Sequence, residues 1–236
     1  MKRPQLPAAD NRLLAQLPRS TQRQLLQRCE SVELRPGDTL STAGARLHHV
    51  YFPRSGFASL VTALTAGPQV DVGVVGNEGM VGIPLVLGVA EALQTATVRC
   101  NGFAWRMTAQ DFSRELEQRD AFRRRLTLYV YVCMAQLTQA TACTRYHTVE
   151  ARLARWLLLA RDRLVSDSFC LTHELLAYML GVRRAGVTGA ANTLRGRDLI
   201  RYTRGSIVIL DREGLELSAC ECYEQANNAY FDVLGT

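Results

Sequence analysis

The chain has no uninterrupted apolar run near the roughly 18 residues that a membrane helix needs, so no membrane-spanning segment is expected. Its opening stretch, MKRPQLPAADNR, lacks the long apolar core of a signal peptide, and the expected location is the cytoplasm. Lysine is almost missing, with one against 27 arginines, a skew that G+C-rich coding alone can produce. The net charge of +6 therefore permits a polyanionic partner without demanding one. Cysteine is present but not in a paired framework. The seven, at 29, 100, 133, 143, 170, 220 and 222, are odd in number and scattered, so most are expected reduced and buried. Only Cys220 and Cys222 lie close together, without further thiolates or histidines at matching spacing, and no metal site is expected. Neither a GxxxxGK[ST] loop nor a GxGxxG turn occurs; glycines 73, 76, 79 and 82 read as turn glycines at strand ends. With no Ser/His/acid or Cys/His constellation, no metal set and no phosphate loop, no catalytic residue and no cofactor are expected.

What is present divides the 236 residues into textures, and two domains fit the length better than one. Two short helices, Asn11 to Leu17 and Ser20 to Cys29, are broken by Pro18. From Val32 to Leu40 a pair of short strands surrounds a Pro-Gly turn. Further strands are expected at Val50 to Phe52, Phe57 to Leu64, Val70 to Val75, Thr95 to Arg99 and Phe103 to Met107, which suggests a barrel or roll. After Asp111 the pattern is helical. The segment from Asp120 to Tyr146 has no Pro or Gly and would be about 40 Å long. Leu126, Val130, Cys133, Leu137, Ala140 and Thr144 alternate steps of four and three along it, the seam of a helix that pairs with its own copy. Tyr129 and Val132 add a second apolar edge, so the same helix also packs on its own roll. Glu150 to Leu164 is another amphipathic helix, and Asp211 to Thr236 a helical tail without assigned purpose.

The most informative stretch is Leu171 to Leu210. Thr172 N-caps a helix carrying Leu175, Leu176, Met179 and Leu180 on one face, and Gly181 supplies the turn. In the next helix Val187, Ala190, Ala191 and Leu194 face the core, which leaves Arg183, Arg184 and Thr188 at the exposed N-terminal end. A small hairpin follows. Between Arg183 and Gly205 stand six arginines and one acid, Asp198. This is the layout of a winged helix-turn-helix, with Arg183, Arg184 and Thr188 as candidate contacts to DNA bases.

In that order, roll, long helix and winged helix-turn-helix, the chain resembles the Crp/Fnr regulators, the family of the cyclic-AMP receptor protein. The resemblance rests on THELLAYMLGVRRAGVTGAANTLRGRDLIRY and RGSIVILDREGLE, with ELRPGDTL and YFPRSGFASL in the roll, and runs over nearly the whole length. It implies an α+β fold: a cyclic-nucleotide-binding-like β-roll at 1–119, a dimerisation helix at 120–147 and the winged helix-turn-helix with its tail at 148–236. It implies a homodimeric transcription regulator that reads a pseudo-palindromic site on double-stranded DNA and addresses RNA polymerase. The family's phosphate-contacting position falls on Thr172, and Arg201, Tyr202 and Arg204 in the wing are expected to touch the DNA backbone. Three positions where relatives commonly place Arg, Glu and Arg fall on Arg184, Ala185 and Gly189, and only the first is kept. A different operator follows. Cyclic-nucleotide binders of the family hold ribose with a Gly-Glu pair and phosphate with an Arg-Ser pair before an AxVRA strand. Here Gln94 and Thr95 precede Ala96-Thr97-Val98-Arg99-Cys100, and only Glu78 lies near the ribose position. Gating by cyclic AMP in the usual way is not expected, because a buried phosphate needs a cationic partner. Arg99 is read as a salt-bridged structural residue, and His147 and His173 as polar surface. The effector is left unknown. Ala185, Gly186 and Gly189 in the recognition helix keep a second reading open, a ligand-sensing or scaffold dimer whose DNA reader has decayed.

Overall fold

The computed structural model describes residues 11–63, 69–164, 167–203 and 206–235. Pro18 separates α1 (Arg12–Ala15) from α2 (Arg19–Leu26), as its missing N–H and fixed φ require. The buried Asn11 caps α1 by accepting from the Leu13 and Leu14 N–H groups, and its amide donates to the carbonyls of Pro53 and Gly79. One side chain thus starts a helix and ties it to the strands beyond.

Seven strands follow: β1 (Glu30–Leu34), β2 (Thr39–Ser41), β3 (His49–Pro53), β4 (Phe57–Ala63), β5 (Gln69–Val75), β6 (Thr95–Cys100) and β7 (Gly102–Thr108). They form two antiparallel sheets, in order β1-β7-β3 and β2-β6-β4-β5, closed on a core of Leu34, Tyr51, Ala58, Val75, Val98 and Ala104. The strands on either side of Pro36-Gly37 exist, but they do not pair with each other as a hairpin. Gly37 sits at φ +95°, and its N–H donates to Val98, so the turn sends β1 to β7 in one sheet and β2 to β6 in the other. Leu64, the expected last residue of β4, lies outside the described residues.

The glycines after β5 do more than turn the chain. Gly82 has φ +104°, a turn position, but Gly76 and Gly79 make room for helices packed behind them. A Cβ on Gly79 would stand 1.9 Å from the Tyr129 hydroxyl, and one on Gly76 would stand 2.8 Å from the Arg163 side chain. Only a residue without a side chain lets those helices approach so closely.

Helix α3 (Ala109–Gln118) is capped by Thr108 and leads to α4 (Asp120–Tyr146), 27 residues long and bounded as the sequence predicts. The Phe52, Phe112 and Phe122 rings meet with centroids 5.8 to 6.4 Å apart, and with Leu126, Tyr129 and Val132 they bury one face of α4 against the roll. The chain then enters α5 (Val149–Leu164), β8 (Ser168–Cys170), α6 (His173–Leu180), α7 (Arg184–Gly196), β9 (Ile200–Thr203) and β10 (Ser206–Ile209). Strands β8, β10 and β9 form a three-stranded sheet, one strand more than the expected hairpin.

The tail is two helices, α8 (Arg212–Ser218) and α9 (Cys222–Leu234). Helix α9 packs along α4: Arg125 donates to the Leu234 carbonyl, and Tyr230 reaches past α4 to donate to the Glu78 carbonyl. The expected helical tail therefore has a definite place, covering the long helix. Among the described residues no helix is long and apolar enough to cross a membrane.

Candidate nucleic-acid interface

Helix α6 begins at Thr172, whose Oγ1 accepts from the Leu175 N–H at 3.1 Å. Among the described residues the hydroxyl proton and the N–H groups of His173 and Glu174 have no acceptor, which leaves them open to an anion. Gly181 ends the helix at φ +62°, and the buried Arg152 of α5 donates to the Leu180 carbonyl. Leu176, Met179 and Leu180 share a core with Leu153 and Leu157 of α5, Val187 and Leu194 of α7, and Ile207 of the wing. With that stripe buried, the other face of α7 is left to solvent.

Arg183 and Arg184 are exposed at the start of α7, and neither forms an ion pair among the described residues. Thr188 differs from expectation. It is half-buried, its hydroxyl donates to the Arg184 carbonyl, and His173 Nδ1 stands 3.1 Å from the same oxygen. Its polar atom faces α6 rather than outward, because a hydroxyl that close to its own helix satisfies the carbonyl one turn back. His173 is likewise not simple surface. It stacks on Tyr202 with ring centroids 4.1 Å apart, and burial, then the Arg184 charge, lowers its pKa below the ordinary histidine value. The ring joins the wing to both helices.

Of the wing residues, Arg201 is exposed, Tyr202 is half-buried in that stack, and Arg204 lies outside the described residues. Arg197 pairs with Glu150 at 3.3 Å, which ties it to α5. Asn192, exposed two turns beyond Arg184, is a candidate that the sequence pattern did not single out; its spacing of eight from Arg184 was the available signal. Gly186 and Gly189 face open space, so α7 presents bare backbone between Arg184 and Asn192.

The reader rests directly on the roll. Phe57 of β4 meets Trp156 of α5 edge-on at 5.9 Å, and Tyr178 of α6 donates to Gln69 at the start of β5. The Arg99 guanidinium lies 5.5 Å from the Tyr178 ring centroid. Arg99 is in no ion pair among the described residues, against expectation, and acts on Asp71 only through space. Burial pushes the Asp71 carboxyl up to about 6, against the hydrogen bond from the Gly73 N–H, which favours its charged form. The folded chain therefore binds the Asp71 proton more tightly than the unfolded chain. The cost of charging it is absent below about pH 4 and fully present above about pH 6. Asp71→Asn should raise stability by about 2 kcal/mol at pH 7.5 and leave it unchanged near pH 4. Paired urea titrations at the two pH values measure this, and an equal effect at both would contradict it.

In the roll, the region that the resemblance assigns to a nucleotide leaves little space. A cavity of about 30 Å³ lies among Ser41, Leu47, Leu60, Met80, Leu93 and Gln94. Small-molecule pockets are roughly 300 Å³ or more, and no cationic side chain lines this one. Thr95 accepts from the Ala43 N–H. Glu78 points the other way. Its carboxylate pairs with Arg163 of α5 at 2.8 Å in a buried site and accepts from the Gly76 N–H.

The seam expected along α4 is only partly open. Leu126 is fully buried in the chain's own core and Cys133 packs against that core, while Val130 and Ala140 are half-buried. Leu137 and Thr144 are exposed. The open apolar row is instead Tyr131, Met134 and Leu137, at 59%, 63% and 43% exposure, with Leu128 beside it. The row is turned from the expected seam because α9 and the roll cover the side on which Leu126 and Cys133 lie.

Comparison with known proteins agrees with this architecture. The model of the cyclic nucleotide-binding domain matches residues 31–119, and that of the Crp-like helix-turn-helix domain matches 151–217. No curated protein matches the chain. Among solved structures, FixK2 from Bradyrhizobium japonicum superposes with a TM-score of 0.70 at 14% identity, covering 81% of this chain and 98% of that one. A CRP family transcriptional regulator from Thermus thermophilus gives 0.66 at 20% identity over 80% and 96%. The c-di-GMP responsive global regulator CLP of Xanthomonas campestris gives 0.65 at 14% over 81% and 99%. These likenesses bear on the fold. With the two family models matching most of the chain in the order roll then reader, the chain belongs to the Crp/Fnr family of transcription regulators.

Proposed function

We propose that this chain is a homodimeric, sequence-specific DNA-binding regulator that is not gated by cyclic AMP in the usual way. The observation that carries the reading is the pair of exposed arginines, Arg183 and Arg184, in no ion pair among the described residues, at the N-terminal end of a helix whose apolar stripe is fully buried. That is the end of a recognition helix that enters the major groove. Arg184 suits the O6 and N7 of a guanine, and Arg183 a second base or a phosphate. Thr188 and His173 hold α7 at its angle to α6, and Asn192 faces the DNA from the middle of the helix. Gly186 and Gly189 let backbone lie close to the groove floor. Thr172, Arg201, Tyr202 and Arg204 grip the sugar-phosphate backbone on either side.

Two readers on one dimer, joined along α4, address a pseudo-palindrome with half-sites about one DNA turn, roughly 34 Å, apart. RNA polymerase is the partner that such a bound dimer would recruit or exclude. Three observations speak against cyclic AMP: Gln94-Thr95 replaces the phosphate-holding pair, Glu78 is committed to Arg163, and the cavity is far too small. Because the reader packs on β4 and β5, a signal that shifts the roll would reach it through Phe57, Trp156 and Tyr178.

Arg184→Ala should lower affinity for a selected operator by about 10-fold to 150-fold, the equivalent of 1 to 3 kcal/mol, with little change on random DNA. Fluorescence anisotropy on both DNAs measures the ratio. Unchanged selectivity would remove Arg184 from base reading. Wild-type protein that forms no salt-dependent, sequence-specific complex would leave the decayed-reader scaffold in its place.

A further inference from the structure

Four side chains that are far apart in sequence converge where the long helix meets the reader. Cys143 is buried in the last turn of α4, and His147 is that helix's C-cap, one turn on and on the same face. Cys220 lies between α8 and α9, and Cys222 opens α9. The sequence offers the Cys-x-Cys pair and, ending 75 residues before Cys222, a Cys and a His four positions apart. Folding α9 back along α4 brings all four together, against the expectation of no metal site and of His147 as plain surface.

The Cys143 and Cys220 sulfurs are 3.6 Å apart, Cys222 Sγ is 3.5 Å from His147 Nδ1, and all four donor atoms lie within 4.8 Å of one another. Zn–S bonds of about 2.3 Å and Zn–N bonds of about 2.0 to 2.1 Å, set tetrahedrally, place donors roughly 3.5 to 3.8 Å apart. The cluster therefore needs little adjustment to enclose one ion. Its donors are too close together to surround a polynuclear iron-sulfur core, and three thiolates with one imidazole are a closed structural zinc set.

The surroundings are those of a ligand shell. His147 Nε2 is 3.1 Å from the Glu221 carboxylate, which orients the ring with Nδ1 toward the sulfurs. The Gln139 amide donates to Cys222 Sγ at 3.0 Å. Cys143, Cys220 and Cys222 are all buried, with Ala151 packed against them. A simple disulfide would use two cysteines and leave the third thiol, the imidazole and both polar supports without a task.

We propose that Cys143, His147, Cys220 and Cys222 form a tetrahedral zinc site that pins the α4–α5 corner to the α8–α9 junction. The site sits at the pivot between the dimerising helix and the DNA reader, so the bound ion fixes the angle at which the reader is carried. This assignment stands independently of operator recognition.

Full-length protein purified under reducing conditions should contain close to one zinc per chain by mass spectrometry of metals. Replacement of zinc by cobalt should give the absorption of a tetrahedral thiolate-bound ion. Glu221→Ala should weaken zinc binding about 10-fold to 100-fold, as loss of a ligand's carboxylate support does elsewhere. Cys220→Ser and Cys222→Ser should lose the ion, whereas Cys29→Ser should keep it. Because a ligand variant can fail to fold, the cobalt spectrum of the unaltered protein is decisive by itself. Reduced, folded protein that takes up neither zinc nor cobalt would overturn the proposal. So would full zinc content in the His147→Ala, Cys222→Ser double variant, or a mapped Cys143–Cys220 disulfide as the state of the metal-free protein.

Discussion

Arg163→Ala should cost about 3 to 5 kcal/mol of folding free energy, the largest loss expected from a single substitution away from the DNA-facing surface. The Arg163 Nε donates to Glu78 at 2.8 Å, and both side chains are about nine-tenths buried. The pair was costly to desolvate, so it is weak evidence of net stabilisation while intact. Breaking it is another matter, because truncation leaves the Glu78 charge buried with the Gly76 N–H as its remaining hydrogen-bond donor among the described residues. Arg163 also fills the space that Gly76 leaves, so the same change opens a void between α5 and the roll. Replacing both partners, Glu78→Gln with Arg163→Met, should recover much of the loss because no unpaired charge remains. Urea unfolding near neutral pH measures all three variants. A single-variant loss below about 1 kcal/mol would mean that water reaches the pair.

The second large effect concerns the proposed dimer. Met134→Glu with Leu137→Glu should give monomers at micromolar concentration and weaken operator binding by about 10²-fold to 10⁴-fold, the range lost when two linked sites bind separately. Met134, Leu137 and Tyr131 form the exposed apolar row of α4, and a surface of this kind on a long helix marks a partner. A facing copy would set these carboxylates against their own equivalents in a dehydrated seam. The monomer fold should survive, since neither side chain belongs to its core. Light scattering after size-exclusion chromatography checks the mass, and a dimer that persists would place the interface elsewhere. The seam read from the sequence contained Leu126 and Cys133, which the structure gives to the interior. A heptad pattern records that a helix has an apolar stripe; it does not record which neighbour covers it. Here α9 and the roll cover one side, and the side still open is turned from the expected one.

The same division runs through the candidate site. Thr172 as a cap, Gly181 as a left-handed turn and the Val187, Ala190, Ala191, Leu194 stripe were legible because each depends on neighbours within a turn or two. Exposure of Arg183 and Arg184 followed from the same stripe. The orientation of Thr188 was not legible, because its partner, His173, belongs to another helix. Arg99 was expected in an ion pair and instead lies against Tyr178, a contact that exists only because α6 rests on the roll.

Local interactions thus settled the elements: where strands and helices begin, the length of α4, the turn at Pro36-Gly37, and the basic end of α7. Their reach is short, so the linear chain carries them openly. Tertiary packing alone decided the rest. It split β1 and β2 between two sheets, committed Glu78 to Arg163, and laid α9 on α4. It also gathered Cys143, His147, Cys220 and Cys222 within one small volume. Those outcomes depend on which apolar faces exclude water together, and residues 75 and 77 positions apart become neighbours only when that burial is complete.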